Sequence, residues 1–239
     1  ATAGVSHPKL YEKVADHIIT LDNLDRFNPQ NFSNVVWAYA TAEEPHPKMF
    51  KKVADHIVSL DLKQFNGQNF SNTVWAYATT QESHPKLFEK VADHIVALDH
   101  VNSFKPQNLS NTVWAYATAE ESHTKLFQKL AGTAIKRQTE FIPQQIANLL
   151  WASATIEQID QNLFSSLTPS VKANLEKYNE QNLTNIAWAY TVANVAAPSV
   201  FDDKFINACL RKEDEFIVDE LNQLYQWQLW QDELQSNLQ

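Results

Sequence analysis

The 239-residue chain is poor in several things, and each shortage closes off a class of function. With three glycines, it has no glycine-rich loop to cradle a phosphate. Its single cysteine, Cys209, rules out an internal disulfide framework and fits a reducing compartment. No apolar run approaches the roughly 18 residues that suggest a membrane span, and the first residues do not read as a secretory signal. Arginine is scarce, at Arg26, Arg137 and Arg211. The net charge of −9 counts against non-specific nucleic-acid binding by the whole surface, so any such role falls to a local basic stripe.

What the chain has in quantity is repetition. Trp37, Trp75, Trp114, Trp151 and Trp188 sit in frames that read approximately Phe-x-Pro-Gln-Asn-Leu-Ser-Asn-x-Val-Trp-Ala-Tyr-Ala-Thr. A fixed period of this length is the signature of a stacked array. The pattern predicts an all-α fold, a right-handed α-solenoid of two-helix repeats of about 38 residues. The repeats fall at approximately 5–42, 43–80, 81–119, 120–156 and 157–194, with an atypical C-terminal repeat at 195–239. Ala1-Thr2-Ala3 matches Ala40-Thr41-Ala42, so the chain reads as a fragment of a longer solenoid, beginning in the tail of a preceding repeat. Targeting sequences are then expected outside it.

Each repeat predicts two helices. In helix A, from His7 to Leu21, the residues Leu10, Val14, Ile18 and Leu21 form one apolar stripe, and Pro8 suits the first helical position. Helix B starts with Asn28 as cap and Pro29 at the first position. Phe32, Val35, Val36 and Tyr39 make its apolar side, while Gln30, Asn34, Trp37 and Thr41 gather on another side. The later copies degrade. Pro169 lies where Asp16, Asp55 and Asp93 sit in other copies, and an interior proline costs about 3 kcal/mol, so that helix is expected to kink or split. Phe216 to Gln226 reads as the start of a sixth helix B, continuing through Trp227 and Trp230.

Stacking turns each recurring residue into a ladder. Lys9 and Lys13 recur as Lys48 and Lys52, Lys86 and Lys90, and Lys125 and Lys129. Such a row can track a phosphate backbone, with a log–log salt slope of about −5 to −6 for eight contacts to a single strand. The other reading is a solvated face, with Asp16, Asp55 and Asp93 pairing to the second lysine. Gln30, Gln68, Gln107, Gln144 and Gln181 recur seven residues before each tryptophan. Asn34, Asn72, Asn111, Asn148 and Asn185 recur three before it. Asn31, Asn69, Asn108 and Asn182 sit six before it, with Gln145 in the fourth copy. Amides can read base edges or hold an extended backbone. The unvarying Asn34 series reads more simply as a structural tie between neighbouring helices. The more variable Asn31 series, and the series Asn28, Asn66, Lys105, Ile142 and Asn179, are the better candidates for specificity. Alanine follows every tryptophan, so the tryptophans read as buried wedges between helices A and B rather than as stacking platforms for bases.

Seven of the eight histidines are repeat positions: His7, His46, His84 and His123 before helix A, and His17, His56 and His94 near its end. They read as caps and as residues favourable to the helix dipole, not as metal ligands. No nucleophile–base arrangement stands apart from the repeats. No catalytic residues, cofactor, metal, small-molecule substrate or membrane insertion are expected, and the chain reads as a non-enzyme.

The frame resembles the octotricopeptide-type repeat, found in proteins that often end in a RAP domain. It also resembles the helical repeats of the kinetoplastid RNA-editing substrate-binding complex. The stretch Leu221 to Leu234, with Gln-Leu-Trp-Gln at Gln228 to Gln231, is similar to segments that lead into a RAP domain. The resemblance implies a protein that binds single-stranded organellar RNA, in chloroplast or mitochondrion, and acts in RNA processing, stability or translation, each repeat addressing about one nucleotide. A different class stays open beside it. The net charge and the surfaces that solenoids offer also suit a protein-binding scaffold in a larger organellar assembly, with the Asn34 series gripping a peptide main chain.

Overall fold

The computed structural model describes residues 7–236. The reading of Ala1-Thr2-Ala3 as the tail of a preceding repeat lies outside them. Twelve α-helices and no strand occur among the described residues, and the helices stack as a solenoid. The chain divides into two compact units, Ala1–Leu126 and Phe127–Gln239.

The first unit holds α1 (Pro8–Thr20), α2 (Pro29–Thr41), α3 (Pro47–Ser59), α4 (Gly67–Thr80), α5 (Pro85–Ala97) and α6 (Pro106–Thr118). Odd-numbered helices are the predicted A helices and even-numbered ones the B helices. α2, α4 and α6 pack side by side, whereas the A helices touch their neighbours over shorter stretches. Small residues permit this approach: Ser33, Ala40, Ser71, Ala78, Ser110 and Ala117 are all buried on the B helices. The second unit holds α8 (Pro143–Thr155), α9 (Gln161–Ala173), α10 (Glu180–Val192), α11 (Asp203–Leu210) and α12 (Val218–Ser236), and α7 (Thr124–Lys136) runs across the division. Here α8, α10 and α12 repeat the B-on-B packing. The sixth helix B forms as predicted, with Trp227 against the rings of Phe201 and Phe205 and the Trp230 indole donating to Asn194 Oδ1 at 3.0 Å.

The A–B interface is pinned by tyrosine. Tyr39, Tyr77 and Tyr116 each lie edge-on to an aromatic ring of their own helix A, namely Tyr11, Phe50 and Phe88. Each hydroxyl donates to that residue's carbonyl, at 2.6, 2.7 and 2.6 Å. Burial pushes the phenol pKa upward in all three. The wedge assigned in sequence to tryptophan is therefore the tyrosine two residues later, about 200° further round the helix.

Glycine scarcity shows at the ends of the B helices. Glu43, Gln81, Glu120, Glu157 and Asn194 adopt positive φ, between 50° and 57°. The next N–H returns to the tyrosine carbonyl in four copies, as in Glu44 to Tyr39 at 3.1 Å and Glu121 to Tyr116 at 2.9 Å. This is the helix-ending turn that usually takes glycine, here made at a cost of about 1 kcal/mol each. One glycine is sterically required. A Cβ at Gly67 would lie 2.6 Å from the buried Phe104 ring, so this ring occupies the space that a side chain fills at Pro29, Pro106 and Pro143.

Helix α9 neither splits nor stops at Pro169 but runs unbroken from Gln161 to Ala173. Pro169 and Ser165, whose carbonyl loses its partner, are both exposed, so water can take the missing bond. Thr168 Oγ1 also bonds the Phe164 carbonyl at 2.9 Å within the same turn.

Candidate functional site

The amide positions divide into two groups with opposite roles. In the first group, Asn28 and Asn31 close a reciprocal cap on α2: Asn31 N–H donates to Asn28 Oδ1 at 2.9 Å, and Asn28 N–H to Asn31 Oδ1 at 3.0 Å. Asn66 and Asn69 repeat it on α4 at 3.0 and 3.1 Å. Lys105 N–H donates to Asn108 Oδ1 at 2.9 Å, and Ile142 N–H to Gln145 Oε1 at 3.2 Å. On α10, Asn182 N–H donates to Asn179 Oδ1 at 2.8 Å.

The same asparagines tie neighbouring B helices. Asn69 Nδ2 donates to Ser33 Oγ, and Asn108 Nδ2 to Ser71 Oγ, both at 3.2 Å. Asn69, Asn108 and Asn182 are each only 6% exposed. In these two series, taken from the sequence as the better specificity candidates, the side-chain oxygens of Asn28, Asn31, Asn66, Asn69, Asn108, Gln145 and Asn179 are spent on helix caps, and the amide nitrogens of Asn69 and Asn108 on stacking. What varies along them is the means of capping. The serine partners escaped the sequence reading, although a small hydroxyl residue two positions after the asparagine recurs at Ser33, Ser71, Ser110 and Thr184.

The second group is free. Among the described residues, no side chain of the Gln30, Gln68, Gln107, Gln144, Gln181 series or the Asn34, Asn72, Asn111, Asn148, Asn185 series has a hydrogen-bond partner, and none is buried. The tie expected of the Asn34 series is the one that Asn69 and Asn108 make. Helix geometry explains the division. At about 100° per residue, Gln30, Asn34, Trp37 and Thr41 fall within a sector of about 60°, and Phe32, Val36 and Tyr39 lie roughly opposite, against the A helices. Asn69 and Ser33 point sideways, towards each other across the α2–α4 interface. The five repeat tryptophans are neither buried nor fully exposed. They share the open side with the free amides, each lying three residues beyond its asparagine.

In the first unit this open side is a row of three like steps: Gln30, Asn34, Trp37 and Thr41, then Gln68, Asn72, Trp75 and Thr79, then Gln107, Asn111, Trp114 and Thr118. In the second unit α8 carries Gln144, Asn148, Trp151 and Thr155, and α10 carries Gln181, Asn185, Trp188 and Val192. A step of this kind offers amide donors and acceptors beside an indole face. That is the chemistry for pairing with a flat heterocycle's edge while stacking on its plane.

The lysines lie elsewhere. All eight sit on A helices, against the opposite side of the B layer. Lys52 Nζ donates to the Ile19 carbonyl at 2.7 Å and also to the Leu21 carbonyl, closing the C-terminal end of α1. Lys9, Lys48, Lys86 and Lys125 are exposed at the start of their helices. Lys48 shares its groove with the part-buried Glu82, whose carboxyl pKa burial raises. The expected pairing of Asp55 with Lys52 is replaced by Lys51 at 2.5 Å and by His84 of the next A helix at 3.0 Å. His84 and His123 act as caps, each accepting at Nδ1 from the N–H three residues on, at 3.2 Å, while Nε2 faces Asp55 and Asp93.

No group of three or more metal-ligating side chains occurs among the described residues, and no described helix is long and apolar enough to cross a membrane. No curated protein matches the chain. The model of one protein family, the RNA-editing substrate-binding complex 6 protein, matches residues 1–198, a span that takes in all five tryptophan frames. The match extends the resemblance of the frame to the editing complex, and the chain belongs to the RNA-editing substrate-binding complex 6 protein family.

Proposed function

We propose that the chain is an RNA-binding subunit of an RNA-editing complex and that the open side of its B helices holds single-stranded RNA. The observation that carries this reading is the row of unpartnered amides beside part-exposed tryptophans on α2, α4 and α6. Indole faces stack on any base, at about 1–3 kcal/mol each, and free amides bond base edges. Family membership supports the same reading, since the family takes its description from a complex that binds editing substrates. The kinetoplastid editing complexes that the frame resembles support the mitochondrion, in preference to the chloroplast, as the place of action in this reading. The reading assigns the chain no catalysis, cofactor or small-molecule substrate.

The test is fluorescence anisotropy with labelled single-stranded RNA. Replacing Asn34, Asn72 and Asn111 together by alanine is expected to weaken binding at least about tenfold, while the melting temperature holds. Unchanged affinity in that variant would remove the open side from the RNA-binding role. One observation favours the scaffold reading instead: the open side carries no cation, and its amides suit a peptide main chain as well as a base. Recovery of protein partners that survive nuclease treatment, together with no affinity for RNA, would decide for it.

A further inference from the structure

We infer that the strand held by the first unit is a tract of one repeated nucleotide rather than a mixed sequence, an inference that rests on the RNA-binding reading above. A helical reader that addresses one base per repeat distinguishes bases by changing the side chains at its contact positions. Here those positions do not change. Glutamine, asparagine, tryptophan and threonine recur without substitution on α2, α4 and α6. The first three recur again on α8 and α10 of the second unit, with Val192 as the one departure.

General similarity among the copies does not account for this. Some exposed positions on the A helices drift, from Glu12 to Lys51, Glu89 and Gln128, and from Thr20 to Ser59, Ala97 and Lys136, although the exposed Lys9, Lys48, Lys86 and Lys125 do not. Packing does not account for it either, because the open-side amides contribute no hydrogen bond to the fold. A sequence constraint without a structural cause at three successive steps points to a ligand that is itself the same at each step. The row is also uncharged. Its affinity then comes from the bases more than from phosphates, which makes base identity matter. Whichever base one Gln–Asn–Trp step prefers, the next step prefers too.

The experiment uses the full chain and fluorescein-labelled 12-mers of A, C and U, together with mixed-sequence 12-mers that have no two like neighbours. One homopolymer is expected to bind at least about tenfold more tightly than any mixed oligomer, since each wrong base at a bidentate contact costs that much. Gln68→Ala with Asn72→Ala, leaving Trp75 in place, is expected to bring that homopolymer close to the mixed-sequence level without changing the melting temperature. Equal binding of mixed and homopolymeric RNA would overturn the inference and leave the RNA-binding reading standing. Absence of binding to every RNA would overturn both and assign the row to a peptide.

Discussion

Asn108 and Asn111 lie one helical turn apart and have different fates. Asn108 is buried, accepts the Lys105 N–H and donates to Ser71. Asn111 is part-exposed and partnerless. Asn108→Ala is therefore expected to cost about 1–3 kcal/mol, from a lost cap and a donor left unmet. Asn111→Ala should stay within about 0.5 kcal/mol, and urea unfolding of the two variants measures both. Neither fate is legible in the residue type, since each position is asparagine in at least four copies. The angular position settles it: Asn111 sits with the tryptophan, and Asn108 about 60° further round, against α4. The aromatic pair Trp–Ala–Tyr misleads in the same way. The alanine after each tryptophan does permit close packing, but the packing is between B helices, since Ala76 and Ala115 are buried there. The sequence says that both aromatics recur. Only the tyrosine hydroxyl bonds to the A helix carbonyls reveal which one faces inward.

At the scale of the element, helix boundaries were largely readable because the punctuation is local: proline at the first position and asparagine before it, whereas the A-to-B connection, which reads as a short loop, contains a 3₁₀ turn such as Leu62–Gln64. That α9 would not split at Pro169 was not readable, because the effect of an interior proline depends on whether the bereft carbonyl reaches water. Pro169→Ala restores that bond, and thermal melting is expected to show stabilisation of up to about 3 kcal/mol. Pairings across helices were equally hidden, since helical spacing suggests Lys52 for Asp55 while stacking brings His84 to it. The hydrogen bond from Lys51, followed by that from His84, lowers the Asp55 pKa below its ordinary value of 3.8. A depressed carboxyl stabilises the fold above its unfolded pKa and loses that contribution as pH falls through the folded value. Asp55→Ala should thus lower stability at pH 7 by less than about 1 kcal/mol, the pair being exposed, and change nothing once pH is below both values. Burial raises the Glu82 carboxyl, which has the opposite sign: it lowers stability as pH rises through 4.5 and the folded value. Glu82→Gln should stabilise at pH 7 and be neutral at pH 3, and denaturant titration at the two pH values reads both variants.

Across the molecule, the period, the helix count per repeat and the two-layer build follow from spacing alone, but the relation between the lysine and amide rows does not. Each row is regular along the chain, and regularity says nothing about which side of a helix pair a row occupies. The structure separates them, with amides and indoles on the open side of the B helices and lysines on the A helices beyond. Lys52 is spent on the end of α1, and Lys48 lies beside Glu82. A strand along the B helices meets no lysine of this ladder, so the counterion release that eight lysine–phosphate contacts would give is absent. The slope of log affinity against log salt for single-stranded RNA is then expected to be shallower than about −2, against about −5 to −6 for a fully engaged lysine row. Lys48→Glu with Lys86→Glu should change affinity by less than about threefold. Trp75→Ala removes a stacking face worth about 1–3 kcal/mol and should weaken binding roughly five- to hundredfold. A steep salt dependence, abolished by the lysine changes and indifferent to Trp75, would move the binding face to the A helices.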